Sequence, residues 1–284
     1  MKEDILVKKF FLAIIASVFA LSLAACGNSS NQAKETTGSN DKTIIVGASN
    51  VPHAVILEKA KPILKKKGYN LKIVKFQDYI MPNKALAEGK LDANYFQHIP
   101  YFKQQIKENG YDFVNAGGIH IEPIGLYSKK YKSIDQLPKG AEIIMSSSVA
   151  DHGRILTMLE KKGLIKLKKG VKKEEATVKD IAENPKHLKF KYDVEASMLP
   201  QVYKNGEGDA VMINSNYALD AGLNPLKDAI ALEDKHSPYV NIVAVRKGDE
   251  KKAKIKALVD VLHSKEIQDF MLKKWGGAVV PVNK

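Results

Sequence analysis

From residue 43 onwards, short apolar runs alternate with amphipathic stretches, and this alternation constrains the fold more than any other feature of the chain. Residues 43–47 (TIIVG) have the length and β-branched content of a buried strand. Residues 53–67 space their apolar side chains as a helix does, with Pro62 as a blemish. Strand-like runs recur at 71–76, 93–96, 119–128 (broken by Pro123), 143–145, 188–192, 209–214 and 240–245. Helical spacing predicts helices at 82–87, 100–109, 154–162 and 178–182, and one long helix at 252–274. Strand, helix, strand throughout predicts an α/β protein with mostly parallel sheets. With 284 residues the chain is long enough for two domains. Two lobes are expected, the last strand and helix returning to the first: lobe 1 from 43–128 and 237–284, lobe 2 from 129–236.

The N-terminus predicts a compartment. Lys2, Lys8 and Lys9 precede an uncharged stretch from Phe10 to Ala25. That stretch is shorter than the roughly 20 apolar residues of a spanning helix and fits an export leader. It ends in Leu23-Ala24-Ala25-Cys26-Gly27, which resembles a bacterial lipobox. The resemblance implies a leader over 1–25 and a diacylglycerol thioether on Cys26, leaving the protein anchored on the extracytoplasmic face of the cell membrane. Cys26 is the sole cysteine, so an intramolecular disulfide and a cysteine-rich metal site are both excluded. Residues 28–41 carry no large apolar side chain, and 26–42 should be a flexible tether. Glu3 and Asp4 are unusual in a leader, which suggests a start at Val7 instead.

The chemistry on offer is that of binding. The chain has no G-x-S-x-G, P-loop, H-E-x-x-H or G-x-G-x-x-G motif. No two of its seven histidines stand at i, i+4. No catalysis, cofactor or metal is expected. The net charge of +13 suits anionic surroundings, but lysine runs such as Lys65-Lys66-Lys67 read as solvated surface, and no nucleic-acid partner is inferred.

Four segments could line a ligand site. Residues 94–102 (NYFQHIPYF) place four aromatics and His98 at a strand-to-helix junction, where ligands bind in open α/β sheets. They could box a thioether side chain or simply pack a core. Residues 146–154 (SSSVADHGR) end in Arg154, which could clamp a carboxylate, while Asp151 could receive an ammonium group or cap a helix. Asn214 and Asn241 lie in amide-rich segments flanking strands, where turn chemistry explains asparagine equally well.

Together these segments resemble the NlpA-type methionine-binding lipoproteins, the substrate-binding components of methionine ABC importers. The resemblance rests on Asp78-Tyr79 with 82–86 (PNKAL), Phe96-Gln97-His98 with Pro100-Tyr101, 123–128 (PIGLYS), Gly153-Arg154, 163–167 (GLIKL), 183–186 (ENPK), Ile213-Asn214 and 237–241 (SPYVN). It implies a two-lobed, periplasmic-binding-protein-like fold with a ligand cleft between the lobes. Tyr79, Phe96, His98 and Tyr101 would line the side-chain pocket, Arg154 would hold the ligand carboxylate, and Asn214 and Asn241 would bond its backbone groups. Crossovers would lie near 127–130 and 234–237. The implied partners are L-methionine, a permease and an ATPase, with the binding protein itself a monomer. One stretch departs from the family: 146–151 reads SSSVAD where relatives carry a Pro-Asn-Asp-Pro-Thr-Asn segment. Asp151 thus replaces an amide near the expected amino group, which leaves a methionyl dipeptide as an alternative ligand. A surface adhesion lipoprotein on the same fold is the alternative function.

Overall fold

The computed structural model describes residues 42–235 and 237–283. The expected leader, Cys26 and the tether up to residue 41 lie outside the described residues.

Strands and helices are numbered in chain order. The first sheet contains β1 (Thr43–Ser49), β2 (Asn70–Phe76), β3 (Ala93–His98), β4 (Phe113–Ile121), β12 (Val240–Arg246) and β13 (Val280–Pro281), in the order β13-β4-β12-β3-β1-β2. The second contains β5 (Gly125–Tyr127), β6 (Glu142–Ser146), β9 (Lys189–Val194), β10 (Ala210–Ile213) and β11 (Ala229–Leu232), in the order β11-β5-β10-β6-β9. A ribbon of β7 (Lys166–Leu167) and β8 (Ile181–Glu183) stands apart. The helices are α1 (Val55–Lys66), α2 (Met81–Ala87), α3 (Ile99–Asn109), α4 (Val149–Lys161), α5 (Leu199–Asn205), α6 (Ser215–Asp220), α7 (Pro225–Asp228), α8 (Ala253–Leu262) and α9 (Lys265–Trp275).

Both sheets are mixed rather than mostly parallel. β1 runs parallel to β2 and β3, and β6 parallel to β9 and β10. The pairings made by β5 and β12 are antiparallel. These are the strands the chain enters on crossing from the opposite sheet, so each arrives from the reverse direction. The first crossing falls between Ile121 and Gly125, because β5 already pairs with β10 and β11. That is upstream of the 128/129 boundary and of the 127–130 crossover suggested by the sequence. The chain returns between Leu232 and Val240.

Each sheet is covered by apolar helix faces. Ile44 and Val46 of β1 pack with Ile56, Leu57 and Leu64 of α1 and with Ile255 and Leu258 of α8, all of them buried. Side chains of this size contribute about 1.5–3 kcal/mol each when fully buried. Pro62 stands within α1 at an exposed position, away from this packing face. The expected helix over 252–274 is two helices. The backbone of Ser264 is extended (ψ 148°), and His263 Nε2 bonds the Gly118 carbonyl at 2.8 Å, which pins the break to β4. In the second lobe, α4 buries Ile155, Leu156 and Leu159 against Ile143 and Met145 of β6.

The expected helix at 154–162 starts earlier, at Val149, so Asp151 and Arg154 lie within its first two turns. Gly153 lets this helix approach the 173–175 turn. A Cβ there would stand 2.6 Å from the Glu174 carbonyl oxygen and would also meet that of Lys173.

Candidate functional site

The site is built where β3 ends. β3 is buried along its whole length, although Asn94, Gln97 and His98 are polar. Asn83 of α2 reconciles this. Its Nδ2 donates to Gln97 Oε1 (3.0 Å), and its Oδ1 accepts from Asn94 Nδ2 and Gln97 Nε2, both at 2.8 Å. Buried amides paired in this way escape the cost of desolvated, unpaired groups. The network locks α2 onto β3 and fixes the direction of Phe96 and His98.

His98 caps α3, its Nδ1 accepting the Tyr101 N–H at 3.2 Å. The ring proton is therefore on Nε2, which donates to Asp151 Oδ1 at 3.1 Å. Asp151 Oδ2 accepts from Asn214 Nδ2, also at 3.1 Å. Burial works to raise the Asp151 pKa, but the bond from His98, the charge of Arg154 and the Asn214 bond outweigh it, and the net shift is downward. Asp151 is thus ionised at neutral pH.

Tyr79, Phe96 and Tyr101 form an aromatic wall with ring centroids about 6 Å apart (5.9–6.2 Å), closed below by Ala150. The Tyr79 hydroxyl donates to Asn216 Oδ1 (2.6 Å), and the Tyr101 hydroxyl donates to the Tyr79 carbonyl (2.9 Å).

Arg154 is 4 % exposed. Its Nε and Nη2 both reach Glu233 Oε2, and Nη2 also donates to the Glu122 carbonyl at 2.7 Å. The guanidinium lies 4.6 Å from the centre of the Tyr239 ring. Among the described residues Nη1 makes no hydrogen bond; its nearest acidic oxygen, Asp151 Oδ1, is 3.8 Å away. Asn214 Oδ1 is also buried without a partner.

β12 completes the site. It inserts between β3 and β4, so Asn241 stands opposite both His98 and His120. Asn241 Oδ1 lies 3.2 Å from His53 Nε2.

All eight residues singled out from the sequence (Tyr79, Phe96, His98, Tyr101, Asp151, Arg154, Asn214 and Asn241) line one cavity. Tyr79, Phe96, His98, Tyr101 and Asn241 come with the first sheet, and Asp151, Arg154 and Asn214 with the second. Its free volume is about 20 Å³, enough for roughly one water molecule, so an amino acid can enter only if the walls separate. A second cavity of about 440 Å³ lies on the other side of Arg154, bordered by Met158, Lys161, Lys162, Glu233 and Tyr239.

Glu122, Ser215, Asn216 and Glu233 also belong to the site and were not singled out. Glu122 left one trace in the sequence: an acid two positions after His120 in the strand-like run before Pro123. Behind it, His53 and His120 bring their Nε2 atoms to Glu122 Oε1 at 3.2 and 2.7 Å. These three bring potential ligand atoms together, but His120 already bonds Glu122 directly and His53 Nε2 already bonds Asn241.

The family model of the NlpA lipoproteins matches residues 44–283. This chain belongs to the NlpA lipoprotein family. It is 55% identical over 279 residues to the methionine-binding lipoprotein MetQ of Bacillus subtilis, covering 98% of this chain and 100% of that one. A nutrient-binding protein from Burkholderia cenocepacia, solved bound to methionine, superposes with a TM-score of 0.79 at 44% identity, covering 84% of this chain and 99% of the other. An ABC transporter periplasmic substrate-binding protein from Coxiella burnetii matches with the same TM-score at 41% identity, over 84% of this chain and 100% of that one. The two-lobed fold of this NlpA lipoprotein is that of solute-binding proteins.

Proposed function

We propose that this NlpA lipoprotein is the lipid-anchored, substrate-binding component of an ABC importer and captures L-methionine by closing its two lobes. One observation carries the reading. Residues from both sheets meet at one buried cavity that offers a guanidinium nitrogen held only by a 3.8 Å ion pair to Asp151, an unpaired amide oxygen and an aromatic wall. Arg154 Nη1 suits the α-carboxylate of an amino acid. Asn214 Oδ1 suits the α-ammonium, with Asp151 adding negative charge and orienting His98 and Asn214. Tyr79, Phe96 and Tyr101 suit a thioether side chain, since sulfur–ring contacts are favourable.

Opening would swing the lobes about the two crossings, 122–124 and 233–239. Cys26 would hold the protein on the extracytoplasmic face, and a permease and ATPase would take the ligand onward. The methionine-bound relative and the name of the Bacillus subtilis relative support the ligand. The Coxiella burnetii relative supports the transport role.

The test is mass spectrometry of ligand released from protein purified out of detergent-solubilised membranes. Calorimetric titration of the stripped protein with L-methionine and methionyl dipeptides follows. Submicromolar binding of L-methionine is expected. Binding of a dipeptide alone would shift the ligand assignment to the 146–151 segment. No binding of either would overturn the transport reading in favour of a surface-interaction role.

A further inference from the structure

We infer that Glu122 is the acceptor for the ligand's α-ammonium group, and that His53 and His120 are the positioning residues that present its carboxylate to the cavity. The inference rests on the amino-acid-binding reading given above and names a residue which that reading leaves unused.

Glu122 lies in the 122–124 crossing, is 6 % exposed and lines the cavity. Ser49 Oγ stands 2.6 Å from His53 Nδ1, and the Tyr95 hydroxyl is hydrogen-bonded to His120 Nδ1. Each hydroxyl has one proton to give. If both give it to Nδ1, each imidazole keeps its own proton on Nε2, and both Nε2 atoms face Glu122 Oε1. The opposite tautomers would set two nitrogen lone pairs against a carboxylate. The stable arrangement is therefore two neutral imidazoles with Nε2 protons turned towards Glu122: His120 donates to Oε1, and His53, whose hydrogen bond goes to Asn241 Oδ1, stands 3.2 Å from the same oxygen. Burial agrees with it, pulling the pKa of His53 down to about 4 and that of His120 to about 3. The backbone N–H of Asn216 is a third neutral donor.

Among the described residues no lysine or arginine side chain forms an ion pair with this carboxylate. Arg154 spends Nε and Nη2 on Glu233 and on the backbone carbonyl of Glu122 rather than its side chain. Asp151 differs in having both oxygens engaged, one by His98 and one by Asn214. Both imidazoles approach Glu122 at Oε1 rather than Oε2, so the carboxylate is not closed off by them. A buried carboxylate fed by neutral donors alone is the complement of a cation, and the one cation an amino acid brings is its ammonium. Placement agrees. Ser215 bonds the Pro123 carbonyl and Asn216 bonds Glu122, which stitches the turn carrying Asn214 to this crossing. An ammonium group there would have Glu122 and Asn214 Oδ1 as its two acceptors.

The test compares L-methionine with 4-(methylthio)butanoate, which lacks the amino group, by calorimetry on protein from solubilised membranes. Wild type should prefer methionine strongly. Glu122→Gln should lose about 10–100-fold in methionine affinity, the range of a charge-assisted hydrogen bond, with the analogue's affinity unchanged. His120→Asn should narrow the methionine-to-analogue ratio while keeping its urea midpoint above that of a variant lacking Tyr95. Should Glu122→Gln fail to fold, Glu122→Asp keeps the charge but withdraws it, and should narrow the ratio partway. A folded Glu122→Gln with the wild-type ratio would overturn the assignment and leave the methionine reading intact. Absence of methionine binding by the wild type would overturn both.

Discussion

Replacing Arg154 by alanine tests whether the Arg154–Glu233 pair is a buried ion pair or a solvated one. The partners are 4% and 9% exposed. The substitution removes both bonds to Glu233 and the donor to the Glu122 carbonyl, and it strips the cation from the Tyr239 ring. Glu233 is then left as a buried carboxylate with Ser237 Oγ as its remaining side-chain donor, at 2.9 Å. Breaking one side of a buried pair costs about 3–5 kcal/mol. At roughly 2–4 °C per kcal/mol for a protein of this size, the melting temperature should fall by about 6–20 °C. Arg154→Met with Glu233→Gln removes both charges and should recover most of the loss. Urea denaturation followed by circular dichroism reads this directly, with equal slopes required for comparison. A loss under about 1 kcal/mol for Arg154→Ala would show that water screens the pair, and would refute the closed-site geometry. Arg154→Ala must therefore be read for binding only alongside its stability; Arg154→Lys, which keeps a charge but cannot hold Glu233 while presenting Nη1, is the cleaner binding variant.

Asn241→Ala removes the acceptor of His53 and a cavity wall, and methionine affinity should fall about 5–150-fold, the cost of an unpaired buried group, as read by calorimetry. Gly153→Ala drives a methyl group into the carbonyls of residues 173–174 and should cost about 1–3 kcal/mol; an unchanged urea midpoint would show that the turn yields freely. Stability should fall as pH drops from about 6.5 towards 4. In that window the unfolded chain protonates His53 and His120 while the folded chain, with values near 4 and 3, does not. Glu122, whose pKa burial raises, acts in the opposite sense by taking up a proton earlier in the folded state. His120→Gln should flatten this slope, and an identical pH profile for wild type and variant would discard the neutral-imidazole assignment.

Much of the site could be read locally. The aromatic run around Phe96 and Tyr101 sits at the end of β3 because a buried strand followed by Pro100 in the first turn of a helix makes a strand-to-helix junction there. Arg154 follows Asp151 by three residues, which on a helix sets them on one face. Local pattern also predicted most elements, but it failed where a long-range contact decides. The 252–274 helix breaks because His263 reaches β4, and the packing of α4 depends on a glycine, Gly153, that admits the 173–175 turn.

The sequence by itself determined the alternation of strands and helices, the ordered blocks that mark an NlpA lipoprotein, and the set of aromatic and amide residues at strand ends. These properties depend on neighbours within a few positions, which propensity and periodicity report. Tertiary structure alone decided the partners of the buried charges. Glu233 reaches Arg154 across 79 positions, and His53 meets Asn241 across 188. Both contacts exist because the chain crosses between the sheets twice and β12 returns to lie between β3 and β4. Glu122 shows in the sequence as an acid two positions after His120, but nothing around His53 announces that it meets them, because it lies among apolar residues that would pack equally well without a charge beside them.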